Sequence, residues 1–225
     1  MEDGGRDGGH SDEPGPGAPV PAGPASASER KHAAITEAAI AEFFQHGYAG
    51  ASVDAIAARA RVSKPTIYSH FGNKEQLFLA VIGDHLRDRY AALGPRVDRI
   101  ADAPDLRAAL VDFLGSWVEA ALRDDVMTLR RLVAGEVNRF PQLGQTWAQV
   151  NAANEDALIR AFTALHQRGT LDVPNPLRAV RQLIGMTVSA AQVIRTFRTT
   201  YEFAEGELED LVSSSVDVFL TAYAR

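Results

Sequence analysis

From Glu29 onward, apolar residues recur every three or four positions, and no stretch sustains the strict alternation that strands require. Ile35, Ala38, Ala39 and Phe43 form the stripe of a first helix, which Gly47 closes. Ser52 is placed to cap a second helix, whose inward face is Val53, Ile56, Ala57 and Ala60. Ser63 caps a third, with Pro65 in the first turn, where an N–H would have no partner anyway. Asn73 caps a fourth, running through Leu77, Phe78, Val81, Ile82 and Leu86 until Gly94-Pro95 breaks or kinks it. Pro104 opens a segment to about Leu122. Another spans about Asp125 to Arg139 and stops before Pro141, and a long one runs from about Gln142 to Gln167 and is closed by Gly169. Asn175-Pro176, a cap followed by a first-turn proline, opens a helix to about Thr200, and the last helix runs from about Glu205 to Ala224. The pattern predicts an all-α chain of about nine helices, without a sheet or an internal repeat.

Composition narrows this picture. Residues 1–28 are Gly, Pro, Ala, Ser and acid with few large apolar side chains, too little to offset ordering entropy, so a disordered acidic tail is expected there. No run of eighteen apolar residues occurs, so no membrane-spanning helix is expected, and the acidic N-terminus does not read as a signal peptide. The absence of cysteine rules out disulfides and thiolate metal sites and suits a reducing cytoplasm. The six histidines are scattered. His85 with Asp84 or Asp88 has helical spacing but no third ligand, so no metal site is expected. No Walker loop, dinucleotide fingerprint or nucleophile elbow is present, which argues against an enzyme and against a cofactor.

The net charge of −6 speaks against a nucleic-acid partner until it is divided along the chain. Residues 1–27 carry −4 and residues 76–225 carry −3, whereas residues 28–75 carry +1. The only segment that is not acidic contains two short helices, Ser52–Ala60 and Ser63–Phe71, separated by Arg61 and Val62 alone. That is the spacing of a helix-turn-helix over residues 52–71, whose second helix enters the major groove of DNA. At about 100° per residue, Ile67 and Phe71 share the inward face. Pro65, Thr66 and Ser69 point outward, flanked by Tyr68 and His70. Small polar groups there let the backbone approach the groove floor, and Lys64 stands at the end that reaches base edges or phosphates. Ser52 and Ser63 mark helix N-termini suited to phosphate oxygens, and Tyr68, His70 and Lys74 supply donors from the far end.

The stretch ITEAAIAEFFQHGYAGASVDAIAARARVSKPTIYSHFGNKEQLF resembles the N-terminal domain of the TetR family of repressors. The matched features are Ile35, Ala38-Ala39, Phe43, Gly47-Tyr48, Ser52, Ile56-Ala57, Val62-Ser63-Lys64, Thr66-Ile67-Tyr68, Phe71, Lys74-Glu75 and Leu77. Arg61 departs from that pattern, because the family usually has a turn glycine there. An arginine needs a turn with negative φ, tolerates some strain, or adds a phosphate contact. The resemblance implies a DNA-binding domain over 29–89 and a helical domain for effector binding and dimerisation over 90–225. It further implies a homodimer formed by the helices at about 175–200 and 205–224, and a palindromic operator in double-stranded DNA. Leu183, Ile184, Val188, Val193, Ile194, Leu211, Val212, Val216, Phe219 and Leu220 would supply the dimer stripes. The stretch LRRLVAGEVNRFPQLGQTW is similar to the C-terminal domain of the AefR-like branch.

Phe113, Trp117, Met127, Trp147 and Met186 are candidates to line a cavity for a small effector, although large apolar residues at helical spacing are more often plain core. Arg130, Arg131, Glu136 and Asn138 lie on the helix that often faces such a cavity. A sequence-specific regulator, a repressor released from its operator by an effector, is the function these features point to. The alternative is a helical protein-interaction module that keeps the fold without using DNA.

Overall fold

The computed structural model describes residues 26–225. Among them the fold consists of helices, with one isolated bridge, Leu171 to Ala224, as the sole β pairing. Helix α1 (Ala27–Gly50) starts inside the segment expected to be a tail, whose remainder at 1–25 lies outside the described residues. The reason is a reciprocal cap. The Glu29 N–H donates to Ser26 Oγ at 3.1 Å and the Ser26 N–H donates to Glu29 Oε2 at 2.6 Å, satisfying two otherwise orphaned donors. Gly47, at φ +66°, ends the regular part of α1 as its position demands. Helices α2 (Val53–Ala60), α3 (Lys64–Phe71) and α4 (Lys74–Tyr90) follow, each with the expected N-cap: Ser52, Ser63 and Asn73. Gly72, at φ +82°, makes the sharp corner between α3 and α4.

The Gly94-Pro95 break is a bend. The chain leaves α4 through a 3₁₀ turn at Ala91–Leu93 and a single α-turn at Gly94–Val97, with the proline in its first turn. Helix α5 (Leu106–Leu122) is capped by Asp105, one residue beyond the proline expected to open it, because the Asp105 carboxylate accepts from the Ala108 N–H at 2.9 Å. Helices α6 (Asp124–Glu136), α7 (Pro141–Gln167) and α9 (Glu207–Tyr223) lie within a few residues of their predicted limits. None of the helices is long and apolar enough to cross a membrane.

Helix α8 differs most from expectation. It runs as Pro176–Ile184, a π-helical turn at Gly185–Ser189, and Ala190–Phe197. A π-turn holds one residue more than an α-turn, so it rotates everything beyond it by about 100°. In an uninterrupted helix Ile194 would share the inward face of Leu183, and Gln192 would stand opposite. With the extra residue, Ala191 and Gln192 turn inward while Val193 and Phe197 are left outside, 50% and 81% exposed.

The helices share one continuous core. Leu77, Phe78, Val81, Ile82 and Leu86 of α4 are fully buried, with α1 and α3 near one end and α5, α6 and α7 along the rest. Phe78 sits 4.6 Å from the Phe43 ring and 4.9 Å from the Tyr48 ring, and Tyr48 in turn meets Phe140 at 4.5 Å. The N-terminal helices α1–α4 and the C-terminal bundle are therefore joined through aromatic contact. Phe78→Ala removes the centre of this stack. It is expected to lower the free energy of unfolding by about 3–5 kcal/mol, read from urea denaturation followed by circular dichroism.

Candidate nucleic-acid interface and interior polar cluster

Helix α3 is held rigidly from behind. Ile67 is fully buried and Phe71 nearly so, with the Phe71 ring stacked on His32 of α1 at 4.8 Å. In front, Ser63, Lys64, Pro65, Tyr68 and Ser69 are exposed, with Thr66 and His70 half-buried at the flanks. The hydroxyls are tied to the helix. Ser63 Oγ accepts from the Thr66 N–H at 3.2 Å and lies 2.8 Å from Thr66 Oγ1, and Ser69 donates to the Thr66 carbonyl at 2.8 Å. The outward face is thus small, polar and preorganised. Tyr68, 37% exposed, is its one large apolar surface.

Several donors expected to be free are engaged. Lys64 Nζ lies 3.0 Å from Asp54 Oδ2 on α2, a pairing that raises the lysine pKa. Lys74 Nζ donates to the Ala51 carbonyl at 2.6 Å and the Ala49 carbonyl at 3.4 Å, and rests over the Tyr48 ring. Burial lowers its pKa, and its two carbonyl contacts tie α4 to the end of α1 instead of pointing to an outside anion. At Ser52, the N–H is taken by Glu42 Oε1 at 3.0 Å, while Oγ accepts from the Ala55 N–H. His70 turns its ring towards His32, with centroids 6.4 Å apart.

Arg61 closes α2 in the left-handed region, at φ +54° and ψ +43°, the sole non-glycine residue with positive φ among those described. The turn is the type that glycine usually completes, with the Val62 N–H reaching back to the Ala57 carbonyl at 3.0 Å. The backbone therefore keeps the glycine geometry and Arg61 bears the strain, with its side chain exposed. A left-handed non-glycine costs about 1–2 kcal/mol, offset in part by the extra freedom glycine has when unfolded. Arg61→Gly is expected to stabilise the fold by about 0.5–1 kcal/mol in urea denaturation. A lower midpoint would mean that the arginine side chain contributes more than its backbone costs.

In the C-terminal part, the candidate cavity residues separate into two groups. Phe113, Trp117 and Met127 are core, at most 2% exposed, with the Phe113 and Trp117 rings 5.5 Å apart. Trp147 and Met186 are half-buried. Arg131 donates to the Arg195 carbonyl and to Thr128 Oγ1. It is Arg130 that stands over the Trp147 ring, at 5.8 Å, with its Nε donating to Thr196 Oγ1 at 2.9 Å and its Nη1 to Gln192 Oε1 at 3.2 Å. Gln192 also donates to the Ala121 carbonyl at 3.4 Å. Tyr90, at the end of α4 and 5% exposed, has a buried hydroxyl that makes no well-formed hydrogen bond, with the Gln192 amide as its polar side-chain partner. Its burial pushes the pKa up to about 12, with Arg130 and Gln192 opposing. Sequence reasoning missed Tyr90, Gln192 and Thr196. Tyr90 reads as one more member of the α4 stripe, and the other two face inward only because of the π-turn.

Beside Tyr90, Asp125 of α6 ties α6 to α4. Its Oδ2 accepts from Arg89 Nε at 2.6 Å and lies 3.2 Å from His85 Nε2. Burial opposes ionisation of Asp125, but Arg89 and His85 outweigh it and hold the carboxyl below its ordinary range. Burial lowers the His85 pKa below 6.5, with Asp125 offsetting only part. The unfolded chain thus takes up this proton first on acidification, so stability falls as pH drops through about 6.5. His85→Gln is expected to flatten the thermal midpoint between about pH 7 and pH 5, whereas the unsubstituted protein loses stability there. Equal slopes would show that His85 is not the titrating group.

Residues 35–81 match the model of bacterial regulatory proteins of the tetR family, and residues 108–225 match that of the AefR-like transcriptional repressor C-terminal domain. A helix-turn-helix transcriptional repressor from Streptomyces coelicolor is 50% identical over 60 residues, 27% of this chain and 31% of that protein. A helix-turn-helix transcriptional activator from Mycolicibacterium smegmatis is 27% identical over 150 residues, 67% of this chain and 65% of that protein. This chain thus spans less than two thirds of the length of either relative. A crystal structure described as a putative tetR-family transcriptional regulator from Mesorhizobium loti superposes with a TM-score of 0.83 at 28% identity, over 89% of this chain and 100% of that one.

Proposed function

The chain belongs to the tetR family of bacterial regulatory proteins, with an AefR-like C-terminal domain, and from that premise we propose that it is a homodimeric repressor that a small effector releases from a palindromic operator. The observation that carries this reading is the α2–α3 corner. Buried Ile67 and Phe71 hold α3 in place while Pro65, Tyr68 and Ser69 face outward, the geometry of a helix that enters the major groove. Lys64, Tyr68 and Arg61 are the exposed donors that reach phosphates or base edges; Ser63, Thr66, Ser69 and His70 shape the surface around them. Ser52 and Lys74 hold the corner together.

Dimerisation is supported by where the exposed apolar residues fall. Leu177, Val193 and Phe197 lie on α8, and Val218 on α9, from 40% to 81% exposed. Leu183, Val188, Val212, Val216 and Phe219, expected in the dimer stripes, are buried within the protomer instead, because the inward sides of α8 and α9 are spent on its own core. The outward residues are the ones left for a partner copy. A two-fold dimer puts its two recognition helices about 34–36 Å apart, one turn of DNA, which calls for a palindrome.

Release follows from α4. This helix begins at the cap next to α3 and ends at Tyr90, about 25 Å away, tied there to α6 through Asp125. An effector that favours a different seating of α6 moves α4 and the recognition helix with it. It shifts the equilibrium only by its differential affinity for the two seatings.

Selection from random duplexes at two salt concentrations tests the operator. Enrichment of a palindrome, with affinity falling steeply as salt rises, is expected. The double variant Lys64→Ala, Tyr68→Phe is expected to lose at least about tenfold in operator affinity while the dimer mass is unchanged. Weak, sequence-independent binding by the unsubstituted protein would favour an interaction module instead.

A further inference from the structure

A half-buried guanidinium normally has an acid beside it, because desolvating a charge without compensation is costly. Most of the arginines around Arg130 obey that rule, Arg131 with its carbonyl and hydroxyl partners excepted. Arg89 and Arg123 pair with Asp125, and Arg195 pairs with Asp124. Arg130 does not. Among the described residues, its partners are the Thr196 hydroxyl, the Gln192 amide oxygen and the Trp147 ring face, all neutral. Burial accordingly lowers its pKa. Next to it stands the buried Tyr90 hydroxyl, which makes no well-formed hydrogen bond and has only the neutral Gln192 amide as a polar side-chain partner. Two donors, one charged and one neutral, thus converge where no acceptor of matching charge is supplied. Arg130, Thr196 and Trp147 each remain partly exposed between α6, α7 and α8, with the Tyr90 hydroxyl buried behind them.

We propose that Arg130 and Tyr90 form the anion end of the effector site and take the carboxylate of a small amphipathic acid, whose apolar body lies against Trp147. The proposal rests on the reading of the C-terminal domain as an effector sensor and adds the effector's charge. Guanidinium and phenol match a carboxylate because each donates a directed hydrogen bond to an acceptor-only group. Gln192, anchored on the Ala121 carbonyl, orients Arg130 and is a positioning residue. Because Tyr90 is the last residue of α4, an anion bridging it to Arg130 joins α4 to α6 directly.

The test uses the full-length dimer and the fluorescence of its two tryptophans, Trp117 and Trp147. The probes are 1-naphthoate and decanoate, each beside its primary amide, which separates a ring-bearing from a chain-bearing acid. At least one acid is expected to bind about tenfold or more tighter than its amide and to release the selected operator. Arg130→Gln is expected to abolish that preference, so that acid and amide bind alike, and Tyr90→Phe, which removes only a hydroxyl, to weaken acid binding several-fold. Equal affinity for acid and amide, or undiminished acid binding by Arg130→Gln, overturns the anion site. Operator release by amides as well as acids would leave the sensor reading standing. Failure of both acids to bind a dimer that still holds its operator also overturns the site, and a separate screen of neutral compounds for operator release then judges the sensor. If Arg130→Gln dissociates the dimer, Arg130 serves the subunit contact and the proposal fails.

Discussion

The apolar seam along α4 is the contact on which the rest of the molecule depends. Leu77, Phe78, Val81, Ile82 and Leu86 have no exposed surface, and they are buried against elements from both halves of the chain. The corner that carries α3 is too small to be stable by its own burial, since two eight-residue helices enclose little apolar area. It borrows the core of the bundle through Phe43, Tyr48 and Phe78, and through Phe140 beyond them. A helix packed so closely along its length is one stiff element from Lys74 to Tyr90.

Charge is arranged around this seam at two scales. Across the joint, Asp125 is shared by Arg89 and His85, so α4 and α6 are linked by polar contacts as well as apolar ones. On the surface, Lys64 pairs with Asp54 across the helix-turn-helix, an exposed pair in high dielectric that is worth little. Lys74 is the contrasting case. Its ammonium is bound to two carbonyls and lies over an aromatic ring, so the same residue type ten positions on from Lys64 and beyond the corner serves the fold.

Helix existence and capping were legible in the chain, because caps are local chemistry. Ser52, Ser63, Asn73 and Asn175 each accept from an N–H three residues on, as short polar side chains ahead of an apolar run imply. The inward face of α3 was legible as well, since Ile67 and Phe71 are one turn apart. The fate of the long donors was not. Whether a lysine ammonium or a serine N–H faces solvent or a protein acceptor depends on elements ten or more residues away, as Ser52 with the Glu42 carboxylate and Lys74 with the Ala51 carbonyl demonstrate. Arg61 shows a different limit. The Val62 to Ala57 bond that closes α2 settles the backbone, so the residue adopts a glycine conformation that its own preference disfavours.

The π-turn in α8 shows how a helix takes up one residue of length while keeping the facing of a shorter, regular helix. It places Gln192 in the interior and leaves Ile194 half-buried and Val193 outside. Deleting one residue between 185 and 189 would restore an ordinary helix and still leave Gln192 inward and Val193 out, because the π-turn takes up one residue without turning the faces beyond it away from those of the shorter helix. A chain built on this bundle can therefore gain or lose a codon at this point and keep the same buried face.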